Sequence, residues 1–171
     1  MVHMQRTSFS TMDCPIARSL DRVGEWWSIL ILRDALGGMT RFEEFQKSLK
    51  IAPNMLTRRL NALVEAGFLA RRRYSEHPPR HEYVVTERGR DFRPILIALI
   101  AFGNRHFAPE GASVSIVDAV SGAPAEPILV DRLTGRPLVS SEFELVAGPA
   151  ASEAMKDRMA KRAARLLTSS V

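Results

Sequence analysis

Cys14 is the only cysteine in the 171 residues. It cannot form an internal disulfide or contribute to a cysteine-rich zinc site. The four histidines, His3, His77, His81 and His106, are scattered rather than clustered. The longest apolar stretch, near Ile95 to Phe102, falls short of the ~20 residues that a helical membrane span needs. No basic start followed by an apolar run marks a secretory signal. A lone cysteine suits a reducing compartment, so a cytoplasmic location and no membrane partner are expected. There is no Ser-His-Asp order, no His-Glu-x-x-His and no phosphate-cradling glycine loop. The expectation is therefore no enzyme, no catalytic residues and no cofactor. Acid is also in short supply: 24 Lys and Arg face 19 Asp and Glu, for a net charge of +5 and a pI of about 10.0. A basic balance favours a polyanionic partner, although alone it is a weak signal. Apolar residues at 46% and charged residues at 25% are ordinary for a globular chain. The length suits one domain and an appendage rather than two full domains.

What is present is organised around residues 52–67, which read as a short helix with a marked start and stop. Pro53 suits the first helical position, where its missing N–H is not needed. Gly67 suits the left-handed residue just past the end. At ~100° per residue, Leu56, Leu60, Leu63 and Val64 fall on one face. Asn54, Arg58 and Asn61 fall opposite, with Thr57 beside them. Arg matches guanine O6/N7 and Asn matches adenine N6/N7. The same pattern also fits the solvated face of an ordinary core helix, so the flanking segments decide between the two.

Ahead of that helix, residues 1–12 are polar and expected to be loose. Asp13-Cys14-Pro15-Ile16 opens a first helix with an apolar stripe of Ile16, Leu20 and Val23, ended by Gly24. Residues 25–36 are apolar almost all round, which predicts a buried helix. Gly37-Gly38 stops it. Thr40-Arg41-Phe42-Glu43 is a capping-box pattern, with Thr40 as N-cap and Glu43 reaching back. The helix it opens, 41–49, buries Phe42, Phe45 and Leu49. Two short helices joined by a tight turn, the second exposing polar side chains, form a helix-turn-helix pattern.

After Gly67 the period becomes extended. Residues 68–74 and 81–86 are strand candidates around a proline-bearing loop, 75–80. A helix-turn-helix followed by such a basic hairpin is a winged helix, in which the wing places cations on phosphates or in a minor groove while the helix takes the major groove. Arg71 and Arg73 share a face of their strand and Arg72 does not. Arg80 sits at the tip. Thr86 caps a helix expected over 87–107, with Pro94 predicting a kink in its early turns. Phe92, Ile95, Leu96, Leu99, Ile100 and Phe102 give that helix more apolar surface than one core contact needs, which points to a dimer interface.

Residues 113–148 are rich in Val, Pro and Gly and carry an internal repeat. Val117–Pro124 and Val130–Pro137 both read V-D-x-x-[S/T]-G-x-P, at a 13-residue offset. That pattern suits a tight turn between short strands, hence a small two-hairpin β-element. Ser152 then caps a final amphipathic helix. Met155, Met159, Ala163 and Leu166 lie on one side of it, and Lys156, Arg158, Lys161, Arg162 and Arg165 make it basic.

Several motifs in this order and spacing resemble the HxlR family, a branch of the MarR-like winged-helix regulators. They are Cys14-Pro15-Ile16, the run Val23 to Asp34, Arg41-Phe42-Glu43-Glu44-Phe45, Leu56 to Leu60 with Leu63, Gly67 and Phe68, Pro78-Pro79-Arg80, Glu82-Tyr83, and Thr86-Glu87-Arg88-Gly89-Arg90. The resemblance covers about Cys14 to Phe107. It implies a homodimeric DNA-binding regulator that pairs through the first and last helices of the core and recognises two related half-sites. Trp26 stands where the family often has Lys or Arg. Ala52 stands where Ser is common, which removes an N-cap oxygen at a cost of ~1 kcal/mol. The 113–148 region resembles a two-knuckle ribbon appended to some members, whose Cys-x-x-Cys-Gly pairs hold zinc. Here Asp118 and Ser121 precede Gly122, and Asp131 and Thr134 precede Gly135. Two carboxylates and two hydroxyls are a poor tetrahedral zinc set, so no metal is expected. Some relatives sense oxidants through a cysteine at the place of Cys14, where helix N–H groups stabilise a thiolate. Cys14 is thus a candidate redox sensor, against the plainer reading of a small, partly buried apolar residue.

The expected fold is α+β, mainly helical: a winged helix-turn-helix domain with a dimerisation helix, followed by a small β-hairpin element and a C-terminal helix. The expected segments are a flexible 1–12, a DNA-binding and dimerisation domain over 13–110, the β-element over 113–148 and the helix over 152–168. The expected function is sequence-specific transcriptional regulation through an inverted-repeat operator in double-stranded DNA, with repression as the working expectation and the sign, activator or repressor, left open by the sequence. The candidate DNA contacts are Arg41, Asn54, Met55, Thr57, Arg58, Arg59 and Asn61, with Arg71, Arg73 and Arg80 in the wing. Two other readings remain open. One is a winged-helix protein-interaction module docking an acidic partner, and the other is a repressor released by a small-molecule effector.

Overall fold

The computed structural model describes residues 8–138 and 142–168, with side chains through Leu166. The chain divides into two units, Arg22–Ile128 and Met1–Asp21 with Leu129–Val171. Helix α1 (Pro15–Val23) runs across the boundary. The architecture is mixed α+β and mainly helical.

The larger unit holds α2 (Trp26–Leu36), α3 (Phe42–Leu49), α4 (Pro53–Glu65), β1 (Leu69–Ser75), β2 (Arg80–Val85), α5 (Glu87–Arg90) and α6 (Arg93–Phe107). Its core joins Val23 to Ile31, Leu32 and Ala35 of α2, Phe45 of α3, Ile51, and Leu56, Leu60 and Leu63 of α4. Leu69, Tyr83 and Phe92 complete it. The buried positions of α2 are Ser28, Ile31, Leu32, Asp34 and Ala35. This helix is therefore buried along one stripe rather than all round. Trp26 lies about 160° from Ser28 around the helix and is 75% exposed.

The start of α3 differs from the expected capping box. The Tyr83 N–H donates to the Thr40 carbonyl at 2.7 Å, and Arg41 bridges Glu82. Residues 40 and 41 thus form a short extended edge against β2, and the helix begins one residue late. Arg41 is the extended residue before the helix. Glu44, not Glu43, reaches back, with Oε2 accepting the N–H groups of Thr40 (2.9 Å) and Arg41 (2.8 Å). Asp34 ties α2 to α3 from a buried position, accepting from the Ser48 hydroxyl at 2.7 Å and from Arg33 Nε at 2.8 Å.

Helix α4 begins as its proline requires. Ala52 is extended with no side-chain cap, and Pro53 occupies the first turn. Its end is a Schellman motif. Gly67, at φ 76°, donates to Val64 O at 3.0 Å, and the Phe68 N–H donates to Leu63 O at 2.9 Å. β1 and β2 then pair antiparallel, Arg71 opposite Tyr83 and Arg73 opposite His81, with a bulge between Arg73 and Ser75.

The helix expected over 87–107 is two helices. Thr86 caps α5 through Gly89 N–H, 3.1 Å from its hydroxyl, and α5 stops at Arg90. Pro94, which has no N–H to donate, sits in the first turn of α6 and starts a new helix there. Phe92 is buried at the joint and meets Phe68 edge-on at 6.1 Å. No residue of α6 is buried.

Of the second unit, residues 1–7, part of the segment expected to be loose, lie outside the described residues. Residues 8–12 are bonded back to α1. The Phe9 N–H donates to Asp21 Oδ1 at 2.9 Å, and Arg18 Nε to Met12 O at 2.6 Å. The two hairpins expected within 113–148 reduce, among the described residues, to the isolated bridges Val117–Pro124, which belongs to the larger unit, and Val130–Pro137, which belongs to the second. Each is closed locally, Asp118 accepting from Ser121 N–H at 2.7 Å and Asp131 from Thr134 N–H at 3.0 Å. Residues 139–141 lie outside the described set. Helix α7 (Glu153–Thr168) starts with Ser152 accepting the Met155 N–H at 3.2 Å.

Candidate nucleic-acid interface

The candidate surface is built on α4. Leu56, Leu60 and Leu63 are fully buried, and this register turns Asn54, Thr57, Arg58 and Asn61 outward, all exposed. The Thr57 hydroxyl donates back to Pro53 O at 2.9 Å, and Asn54 Oδ1 accepts the Met55 N–H at 2.8 Å. Arg58 Nη2 lies 3.1 Å from the half-buried Met55 sulfur. Arg59 does not join this set. It lies about 60° from Leu56 around the helix, next to the buried stripe. Its guanidinium is 2.9 Å from Glu25 Oε2, with the side chain only 12% exposed.

The wing carries the other cations. Arg71 Nη2 contacts His81 Nδ1 at 3.1 Å, on the face whose base is formed by the buried Leu69 and Tyr83. Arg72, on the opposite face, pairs with Glu82 at 2.8 Å. Arg73 is held at the turn, pairing with Glu76 at 3.0 Å and donating to the carbonyls of Ser75 and Glu76. Arg80 is exposed and forms no ion pair with any described residue. Arg41 stacks over Tyr74, 5.0 Å from the ring centre, so it sits at the base of the wing. The structure thus brings Asn54, Thr57, Arg58 and Asn61 onto one helix face and puts Arg71, Arg73 and Arg80 on the hairpin.

One junction couples the helix to the wing. The Thr86 hydroxyl donates to Gly67 O at 2.7 Å, with Phe68 O at 3.0 Å. Arg88 Nη1 donates to Ala66 O at 2.7 Å. Gly89 is buried against the same segment, where an added Cβ would stand 2.3 Å from Phe68 O and 2.8 Å from Val85 Cγ1. The end of α4 and the start of β1 are therefore clamped by the short α5 segment.

Two further basic residues, which no motif in the sequence marks, stand near this surface's helices. Lys47 is exposed on α3, and Lys50 is exposed in the turn before α4. Lys50 holds φ 50°, a left-handed conformation that costs a non-glycine residue ~1–2 kcal/mol. The available signal was a lysine where a glycine or asparagine would end the helix more easily. The Glu44 carboxyl is held below its ordinary value of 4.5, first by the Arg41 N–H and then by the Thr40 N–H. Asp118 and Asp131 are likewise lowered, Asp118 chiefly by the Ser121 N–H and Asp131 by the Thr134 hydroxyl. These carboxylates serve their own turns. Among the described residues no group of three His, Cys, Asp or Glu is placed to hold a metal. Cys14 is half-buried just ahead of α1, and its carbonyl accepts the Arg18 N–H at 3.0 Å. No described helix is long and apolar enough to cross a membrane.

The sequence matches the HxlR-like helix-turn-helix family over residues 22–111. The chain belongs to the HxlR family. An uncharacterised HTH-type transcriptional regulator of Mycobacterium tuberculosis H37Rv is 36% identical over 135 residues, 78% of this chain and 85% of that protein. A structure described as a candidate transcription factor of Pseudomonas aeruginosa is 57% identical, covers 85% of this chain and 99% of its own, and superposes with a TM-score of 0.62. PA1607, described in the same terms, is 40% identical over 83% of this chain and all (100%) of its own, with a TM-score of 0.74. The redox regulator HypR in its oxidised form is 33% identical over 54% of this chain and 97% of its own, at 0.51. This HxlR protein is accordingly a transcriptional regulator of the helix-turn-helix type. Proteins of this kind are generally not enzymes.

Proposed function

We propose that this HxlR regulator binds duplex DNA as a cytoplasmic homodimer at an inverted-repeat operator and represses transcription there. The observation that carries the reading is the register of α4. Three buried leucines fix its inner side, and Asn54, Thr57, Arg58 and Asn61 stand together on the outer side. Arg58 and Asn61 read base edges in the major groove, with Asn54, Met55 and Thr57 bordering them. Arg41, Arg71, Arg73, Arg80 and Lys50 take phosphates and position the helix. Arg59 contributes by holding α4 to Glu25 rather than by touching DNA. Dimerisation is supported by α6, which leaves Ile95, Leu99, Phe102 and Phe107 exposed, an apolar strip that a second copy would cover. Selection of bound duplexes from a random pool tests the reading: an enriched inverted repeat is expected, and no enrichment overturns it.

A cleft of about 360 Å³ favours ligand control as an added property. It is lined by Ile100, Asn104 and Arg105 of α6 with Ile116, Glu126 and Ile128. That volume lies in the range of small-molecule sites. Titrating small organic acids against the operator complex tests it, with loss of operator affinity as the expected result. We also propose a redox role for Cys14, supported by its place ahead of α1 and by the likeness to the redox regulator HypR. Cys14→Ser is expected to remove oxidant-dependent loss of DNA affinity. If affinity does not depend on oxidant in the unaltered protein, the assignment falls.

A further inference from the structure

We infer that the cleft between α6 and residues 114–128 is a site for a small zwitterion with an apolar side chain, of which an apolar amino acid is the simplest example. The inference rests on the reading of this cleft as a ligand site and names the ligand class. One wall is the first copy of the repeated turn. The Ala125 N–H donates to Ile116 O and the Asp118 N–H to Ala123 O, each at 2.8 Å, so the turn closes on itself. Asn104 Nδ2 donates to Val114 O at 2.8 Å, which ties that wall to α6. About 360 Å³ is left between the two, near the lower end of the range of small-molecule sites. Its apolar lining is Ile100, Ile116 and Ile128 with Pro124 and Pro127. Ile128 is 67% exposed there, apolar surface that a ligand side chain would take out of water.

Two charges of opposite sign share the cleft, Arg105 and Glu126. Both are exposed, and neither side chain forms an ion pair or hydrogen bond with any described residue. A ligand with only an anionic group would gain Arg105 and be repelled by Glu126, and a purely cationic one would meet the reverse. A molecule that carries both groups satisfies both residues. The planar guanidinium of Arg105 suits a carboxylate, the Glu126 carboxylate suits an ammonium, and the isoleucines take the apolar remainder. Arg105 in the last turn of α6 also compensates the helix dipole. That role asks for neither a carboxylate in the same cleft nor a tethered apolar wall.

The cleft stays accessible when two copies pair. Ile100, Ala101 and Asn104 centre about 180° around α6 from Ile95, Leu99 and Phe102, the strip assigned to pairing. A ligand therefore does not compete with the second copy for the same face. It would draw residues 114–128 against the back of the pairing helix, which gives occupancy a route to the dimer.

The test is calorimetry on the full chain with L-leucine and L-phenylalanine as probes. The controls are 4-methylpentanoate, which lacks the ammonium, and leucinamide, which lacks the carboxylate. Saturable binding of at least one amino acid is expected, with each control ~10-fold weaker or more for want of one charge-assisted contact. Arg105→Gln should erase the preference for leucine over leucinamide, and Glu126→Gln the preference for leucine over 4-methylpentanoate. Glutamine keeps helix propensity close to that of arginine, and thermal melts without ligand should match the original. Amino-acid binding that both variants retain in full overturns the inference, because the ligand then sits elsewhere. Binding of 4-methylpentanoate as tight as that of leucine overturns the zwitterion assignment and leaves an organic-acid site in place. No saturable binding of any of the four overturns the ligand-site reading as well. Leucine binding that leaves operator affinity unchanged upholds the site and removes only ligand control from the proposed function.

Discussion

Arg59 reaches back from α4 to Glu25, 2.9 Å away, while its neighbour Arg58 stands on the exposed face. One residue of separation on a helix is a 100° turn, enough to give adjacent arginines opposite jobs. Arg58→Ala should leave stability within about 0.5 kcal/mol of the original and change the preferred DNA sequence. Arg59→Ala should cost ~1–3 kcal/mol, because it strands a partly buried carboxylate, and leave the preferred sequence unchanged. Urea denaturation and bound-sequence selection on both variants check the split. An Arg58→Ala protein with unaltered preference would remove that residue from base readout.

Lys50, Arg71 and Arg80 are assigned to phosphates. Neutralising any one of them should weaken binding to all duplexes by a similar factor and flatten the salt dependence by ~0.9 per contact. Lys50→Gly adds a second readout. The left-handed backbone at φ 50° suits glycine, so stability should hold or rise while affinity falls. Affinity measured between low and physiological salt separates these variants from Arg58→Ala.

Gly89 has no room for a side chain, with Phe68 O standing 2.3 Å from where a Cβ would be. Gly89→Ala must shift the α5 segment or the start of β1, at a cost of ~2–3 kcal/mol. Because that segment clamps the end of α4 to the wing, operator affinity should fall as well. A melt and a titration on the same preparation test both effects. Unchanged stability would show that the junction is loose.

The Glu44 carboxyl is held below 4.5 in the folded chain by the N–H groups of Arg41 and Thr40. Its stabilising contribution is therefore fully present above pH 4.5 and is lost as pH falls through the lowered folded value. Glu44→Gln should flatten the pH dependence of the urea midpoint below about pH 4.5. Glu43→Gln should not, since the Thr40 and Arg41 N–H groups are taken by Glu44.

These assignments also show which features a sequence makes legible. Pro53, Gly67 and Thr86 mark element ends through chemistry within a few residues, and all three act as their residue types require. The start of α3 lies one residue later than the Thr40 pattern predicts because it depends on a distant strand. The Tyr83 N–H and the bridge to Glu82 keep Thr40 and Arg41 extended, and that selects Glu44 over the equally plausible Glu43. Nothing local to Arg59 announces that Glu25 lies across from it, so the sequence alone does not separate it from Arg58. The break between α5 and α6 was half legible. Pro94 marked the spot, but only the burial of Phe92 against Phe68 makes a new helix more favourable there than a kinked one.

In the proposed function α4 reads DNA with its outer face while α6 pairs two copies. Sequencing the duplexes that the full chain retains from a random pool tests it most directly. The expected result is an enriched inverted repeat whose half-site preference shifts with Arg58→Ala and not with Arg80→Ala. Retention of unselected sequence, lost uniformly with rising salt and indifferent to Arg58, would contradict it.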